Sequence, residues 1–267
     1  MRCAVLGDPI THTLSPALHR GGYAAVGLDW TYEAHRVPAG GLSEFVRGLD
    51  PSWRGLSLTM PLKREAMGLA TEVSPVARMA GAANTLLLVD GELHADNTDV
   101  PGAVAALRAR YEGPVNAATI LGGGATAAST ALALCELGAR SITLLVRSPA
   151  RAVDTLAAID RHPARPAVAV GSLADDPVVG EVVVSTVPTE SQSPDLVERC
   201  SSVPVVFEVL YDPWPTPLAA SAGDRVLVRG LDLLLHQAVL QFEIFTGLGA
   251  PVEAMRAAGE AALARRA

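Results

Sequence analysis

Lys63 and Asp99 sit in two short polar segments, Thr59-Met60-Pro61-Leu62-Lys63 and Ala95-Asp96-Asn97-Thr98-Asp99, each following an apolar run. An amine paired with a carboxylate can protonate the alkoxide that forms when a hydride reaches a ketone. The carboxylate would orient the amine and hold a substrate hydroxyl. Met60-Pro61 reads as a helix start, which would set Lys63 near the positive end of that helix, disfavour its charge and lower its pKa. A third segment, from Gly7 to His19, offers the hydroxyls of Thr13 and Ser15 to a carboxylate. A fourth, Gly81 to Thr85, offers Asn84 to a ring hydroxyl. Taken one at a time these are helix caps: Ser15-Pro16 reads as an N-cap with Pro at N1, and Asn97-Thr98-Asp99 caps another helix. A cap needs one side chain, and each segment carries several. The surplus points to a ligand site.

A second chemistry lies further along. Ala118-Thr119-Ile120-Leu121 runs into Gly122-Gly123-Gly124-Ala125-Thr126-Ala127 and then a helix of small residues. This is Gly-x-Gly-x-x-Ala between a strand and a helix, the arrangement that binds a dinucleotide. Gly122 permits the tight turn, Gly124 lets backbone N–H groups reach a pyrophosphate, and Ala127 lets helix and strand pack closely. The helix N-terminus adds partial positive charge. Gly122, Gly123, Gly124 and Ala125 are therefore assigned to cofactor binding. An NAD site expects an acid about 20 residues on, at the end of the second strand. Here that place reads Val146-Arg147-Ser148-Pro149-Ala150-Arg151, with no carboxylate before Asp154. Arg147 can fork onto a 2′-phosphate, Ser148 can donate to it, and Arg151 adds charge. NADP is favoured over NAD.

Short Val/Ile/Leu runs that alternate with helical patterns must hold these loops, which makes the chain α/β. The expected strands are residues 3–6, 31–37, 55–59, 85–89, 118–121, 141–146, 167–170, 182–186, 205–209 and 226–228. Helices are expected over 15–26, 41–49, 98–111, 126–137 and 231–245, with a terminal helical stretch over 251–264. Asp90-Gly91 reads as a hairpin turn, so the first part of the chain contains antiparallel pairing. The expected architecture is an N-terminal mixed-sheet α/β substrate domain, residues 1–112 with 230–267. A Rossmann-like, doubly wound parallel-sheet NADP domain, residues 113–229, follows, and the C-terminal helices return to the first domain.

The 267 residues include 49% hydrophobic and 18% charged side chains, which excludes a disordered chain. A net charge of −7 argues against general nucleic-acid binding. Three cysteines without a Cys-x-x-Cys argue against a disulfide scaffold or a zinc cluster. The spacing of His12, His19, His94 and His236 supplies no metal set. No leader peptide or membrane span is expected, which places the protein in the cytoplasm, acting on a small molecule as a monomer or homodimer.

The chain resembles the shikimate 5-dehydrogenase family, in particular an actinobacterial-like branch with a Ser-x-Thr-Met-Pro loop. The resemblance rests on His-x-x-Ser-Pro-x-Leu-His, Thr-Met-Pro-x-Lys, Ala-Asn-Thr, Ala-Asp-Asn-Thr-Asp-x-x-Gly, the Gly-rich loop, Tyr-Asp-Pro-x-x-Thr-Pro-Leu and Gly230 to Gln237. It implies NADP(H)-linked interconversion of 3-dehydroshikimate and shikimate, a step of aromatic amino-acid biosynthesis. Lys63 and Asp99 match the family's catalytic pair; Thr13, Ser15, Thr59, Asn84 and Gln237 match its substrate ligands. Tyr211 and Gly230 match positions near substrate and nicotinamide, and Thr186 ends a strand by the nicotinamide. Gln241, one turn beyond Gln237, reads as helix surface. Several positions depart from the common pattern. Thr13 stands for serine and bears on the choice between shikimate and quinate. Ser57 stands for asparagine and would call for a bridging water. Val146 stands for the asparagine before the adenosine-binding arginine. Gly123 stands for alanine, and Ala125-Thr126 for Gly-Ala. The alternatives are a quinate/shikimate dehydrogenase using NAD, against which the missing acid argues, and a non-catalytic NADP-binding sensor, which would be expected to lack Lys63 or Asp99.

Overall fold

The apolar runs of the first part of the chain build one mixed sheet with a core on each face. In a computed structural model, which describes residues 1–266, the elements are β1 (Arg2–Gly7), α1 (Ser15–Ala25), β2 (Thr31–Arg36), α2 (Leu42–Arg47), β3 (Trp53–Leu58), β4 (Glu72–Val73), α3 (Pro75–Ala80), β5 (Thr85–Val89) and β6 (Glu92–Asp96). The strand order is β2-β1-β3-β5-β6-β4. β1 runs parallel to β2 and β3, while β5 lies antiparallel to both β3 and β6. Side chains alternate along β1: Cys3 and Val5 join a cluster with Tyr23, Tyr32, Phe242 and Phe245, and Ala4 and Leu6 face Leu56, Leu58 and Leu86. The expected hairpin is present, with Asp90 at φ 48° and Gly91 at φ 85°, the left-handed pair a tight two-residue turn needs.

The second part comprises α4 (Asp99–Arg108), β7 (Ala117–Leu121), α5 (Ala125–Glu136), β8 (Ser141–Val146), α6 (Val153–Arg161), β9 (Ala167–Ser172), β10 (Val182–Ser185), α7 (Pro194–Arg199), β11 (Val205–Glu208), α8 (Pro217–Ala220) and β12 (Val226–Val228). Its sheet order is β12-β11-β10-β7-β8-β9, parallel throughout. Counted within this sheet, that is the doubly wound dinucleotide-binding order, with its switch point between β7 and β10. Val182 and Val184 enter one core and Val183 the other. Both faces of the central strands β7, β10 and β11 are covered, which is why they read as continuous apolar runs, while edge strand β9 is exposed over residues 167–170.

Two compact units emerge: Met1–Thr98 with the stretch from Leu234 onward, and Asp99–Leu233. α4 belongs to the second unit because Ala103, Ala106 and Leu107 pack with Ala127, Ala131 and Leu134 of α5. α9 (Gly230–Thr246) begins in the second unit and ends in the first; α10 (Val252–Ala264) packs on α1. Among the described residues, no helix is long and apolar enough to cross a membrane.

Two expectations need correction, and one strand is unexpected. Met60-Pro61 starts no α-helix; residues 60–64 form a turn before a four-residue 3-10 helix, Glu65–Gly68. The dipole of a helix start is therefore not available to Lys63. Ser15 is the first residue of α1 rather than its cap, since Leu14 holds the cap position without a side-chain bond. The two-residue strand β4 carries no periodic signal and stands outside the expected set.

Candidate active site

In the first unit, sheet topology brings the polar loops to one edge. β1 and β3 run parallel and β5 opposes β3, so the C-terminal ends of β1, β3 and β6 and the start of β5 share that edge. Backbone bonds stitch the loops together: Asp8 N–H to Met60 O (2.9 Å), Thr59 N–H to Leu6 O (2.9 Å), Ala83 N–H to Lys63 O (2.8 Å) and Leu58 N–H to Asn84 O (2.7 Å). The loops of Thr59, Lys63 and Asn84 are thus positioned by main chain.

Thr13 Oγ1 donates to Ser15 Oγ at 3.3 Å and accepts the Ser15 N–H at 3.3 Å. These two hydroxyls form a pair, and Ser15, freed from capping, is 4% exposed. The loop is tied from outside by Arg266, which donates to the carbonyls of His12 (2.7 Å) and Thr13 (3.0 Å).

Asn84 is the hub. Its Oδ1 accepts from the backbone N–H of Thr98 (2.8 Å) and from Thr85 Oγ1 (2.9 Å). A backbone N–H can only donate, so the oxygen of the amide is identified and Nδ2 must point the other way. Nδ2 donates to Thr98 Oγ1 (2.9 Å) and to Gln237 Oε1 (3.2 Å). Three sequence motifs, separated by up to 153 positions, meet at this one amide. Asn97 and Thr98 are engaged with Ala82 O and Asn84 respectively, which is what the surplus polar side chains of their segment do.

The reading of Gln241 as helix surface is overturned: it is 1% exposed. Its Nε2 donates to Asn84 O and to Thr85 Oγ1, both at 2.9 Å, and its Oε1 accepts from Ser57 Oγ at 2.7 Å. Ser57 in turn accepts from Tyr32 Oη. Ser57 thus reaches two protein groups directly, in place of the bridging water expected of its short side chain. The signal is present in the sequence, because residues four apart on a helix share a face and Gln237 is assigned inward.

In the second unit, Asp99 is the first residue of α4 and is 7% exposed. The Gly-rich loop leaves β7 at the switch point. Gly122 has φ 110°, and a side chain there would overlap Thr186 Oγ1, whose hydroxyl donates to Leu121 O at 2.8 Å. Gly123 lies against the backbone carbonyl of Arg151, with no room for a Cβ. The loop and the arginine segment are therefore in contact. Gly124 faces open space and caps α5 with no side-chain bond, leaving the first-turn N–H groups of α5 without a side-chain cap. Such a cradle fits a pyrophosphate at a helix N-terminus. Arg147, Ser148 and Arg151 are exposed directly beyond the C-terminal end of β8, where an adenosine 2′-phosphate would lie in this fold. Gly230 opens α9 against the carbonyls of Val209 and Leu210.

Tyr211 lies on a loop held in place by a residue that sequence reasoning misses. Glu208 is fully buried at the end of β11 and accepts from the Leu210 N–H (3.0 Å), Gln192 Nε2 (2.8 Å) and Thr216 Oγ1 (2.8 Å). Burial pushes its carboxyl above the ordinary range, against these three donors. No spacing rule points to it, because a lone acid after an apolar run reads as a strand end.

Known proteins resemble this chain in sequence and in fold. A family model described as the shikimate dehydrogenase substrate binding domain matches residues 5–86, and one described as the shikimate 5'-dehydrogenase C-terminal domain matches residues 230–258. A shikimate dehydrogenase (NADP(+)) of Methylobacterium radiotolerans is 37% identical over 92% of this chain and 91% of its own. The crystal structure of Mycobacterium tuberculosis shikimate dehydrogenase is 40% identical with a TM-score of 0.88, covering 98% of this chain and 99% of that one. Shikimate 5-dehydrogenase from Thermus thermophilus, solved in complex with NADP(H) and shikimate, is 30% identical with a TM-score of 0.86, covering 98% and 99%.

Proposed function

Because the chain belongs to the shikimate dehydrogenase family, we propose that it catalyses the reversible, NADP(H)-dependent reduction of 3-dehydroshikimate to shikimate. The observation that carries this reading is the convergence of Asn84, Thr98 and Gln237 on one set of amide and hydroxyl bonds, at the sheet edge that also carries Thr59, Lys63 and the Thr13–Ser15 pair. Such a set of donors and acceptors suits a small polyhydroxylated ring acid.

Each group has a task in this reading. Thr13 and Ser15 donate to the substrate carboxylate, and Asn84, Thr59, Gln237 and Tyr211 orient the ring hydroxyls. When bound, the reduced nicotinamide supplies a hydride to the ketone carbon. Lys63 donates a proton to the resulting alkoxide, giving the alcohol, and Asp99 orients the ammonium and a neighbouring hydroxyl. In the oxidative direction Lys63 takes the same proton back. The dinucleotide is held by Gly122, Gly123, Gly124 and Ala125 at the start of α5. Arg147, Ser148 and Arg151 meet the 2′-phosphate, and Thr186 and Gly230 border the nicotinamide. Residues 1–112 with 230–267, the first compact unit together with α4 and the first turn of α9, act as the substrate domain and 113–229 as the cofactor domain. The protein works in the cytoplasm, as a monomer or homodimer, within aromatic amino-acid biosynthesis.

Initial rates with shikimate and quinate, each against NADP and NAD, test the proposal. The expected outcome is turnover of shikimate with NADP, with Arg147→Ala raising the NADP KM far more than the NAD one. Faster turnover of quinate with NAD would overturn it in favour of the quinate enzyme.

A further inference from the structure

We infer that Gln241 is a positioning residue for the substrate pocket, setting the Asn84 amide through a buried hydrogen-bond chain that begins at Tyr32. The inference rests on the proposed role of Asn84 as a substrate ligand.

The direction of the chain follows from its donors. Tyr32 Oη donates to Ser57 Oγ (2.5 Å), so the one proton of Ser57 goes to Gln241 Oε1 (2.7 Å). That makes the opposite end of the Gln241 amide the donor, as it must be to meet the main-chain carbonyl of Asn84. The second N–H of that nitrogen occupies the acceptor side of Thr85 Oγ1. The Thr85 proton is thereby directed to Asn84 Oδ1, which keeps Asn84 Nδ2 turned towards Thr98 and Gln237. Tyr32, Ser57, Thr85 and Gln241 are all buried, with no exposure above 4%. Water is therefore poorly placed to substitute for a missing member, and the loss of one leaves its neighbours unpaired. Tyr32 itself is held by its ring, which stacks on His19 at 4.1 Å between centroids. Gln241 touches no substrate in this scheme; through Thr85 it adds a second donor that holds Asn84 in the orientation the Thr98 N–H already gives it.

The experiment is steady-state kinetics of shikimate oxidation by the full-length protein carrying Gln241→Leu, Tyr32→Phe, or both. Gln241→Leu is expected to raise the shikimate KM about tenfold while the NADP KM stays within about twofold. Tyr32→Phe keeps the ring stack and removes only the first donor, so it should raise the shikimate KM about threefold. Added to Gln241→Leu it should have no further effect, because the chain is already broken. An unchanged shikimate KM in Gln241→Leu would overturn the inference, as would a parallel rise in both KM values or additive effects of the two substitutions. Should Gln241→Leu fail to fold, Tyr32→Phe decides alone: a selective rise in the shikimate KM supports the inference, and an unchanged one overturns it. A wild-type protein inactive with shikimate would instead sink the proposed reaction.

Discussion

Lys63 is tied to its neighbours by main chain, its carbonyl accepting the Ala83 N–H, so replacing its side chain should leave the loop in place. Lys63→Ala is expected to lower kcat by roughly 10²–10⁴-fold with little change in the shikimate KM, the signature of a lost proton donor. Initial rates at saturating NADP check this, and a near-normal kcat would remove the lysine from the chemistry. At this scale the sequence is a good guide to residue type and a poor one to surroundings. Lys63, Asp99, Asn84 and Gln237 can be singled out because several polar groups crowd into short segments. The turn in which Lys63 stands cannot, since a Pro after an apolar run is equally compatible with a helix start. Gln241 is misjudged although the signal is there, since it lies one turn from Gln237, which is already assigned inward.

Among the elements, the contact between the Gly-rich loop and the 149–152 segment has the clearest consequence. A methyl at position 123 has no room beside the Arg151 carbonyl, so Gly123→Ala must displace one backbone or the other. Overpacking of this kind costs about 1–3 kcal/mol, which corresponds to roughly 5- to 160-fold in an equilibrium constant. The NADP KM is expected to rise by about tenfold while the shikimate KM holds; an unchanged NADP KM would show that the two segments do not act together. The strands are legible because short runs rich in Val, Ile and Leu are bounded by polar and turn residues. Ser141–Val146, Thr85–Val89 and Val226–Val228 begin and end where their apolar runs do. β4 is invisible, being two residues paired only with β6. The Gly123 contact is equally hidden, since nothing local to the loop announces which distant carbonyl will fill the missing side chain.

For the molecule as a whole, His19 links stability to acidity. It is fully buried, neither ring nitrogen meets a partner in hydrogen-bonding geometry, and burial pulls its pKa down to about 3, the nearby Gln241 amide opposing this only in part. The unfolded chain takes up this proton near pH 6.5 and the folded one only near 3. The unfolded state therefore binds more protons across that window, and stability falls as pH drops through it. Above pH 6.5 the contribution is complete; below, this group alone removes up to about 1.4 kcal/mol per pH unit. Denaturant midpoints at about pH 5 and about pH 7.5 should separate in the wild type and draw together in His19→Phe, which keeps an aromatic ring against Tyr32. Equal separation in both proteins would assign the acid sensitivity elsewhere. A last consequence belongs to α9, which carries Gly230, Gln237 and Gln241 on one uninterrupted screw of about 1.5 Å and about 100° per residue. Seven steps from Gly230 bring Gln237 round almost two full turns, and four more bring Gln241 nearly into line with it. One residue added or removed between Gln237 and Gln241 would swing one of them about 100° off the face that meets Asn84 and Thr85. The spacing of the two glutamines is a fixed dimension of the pocket.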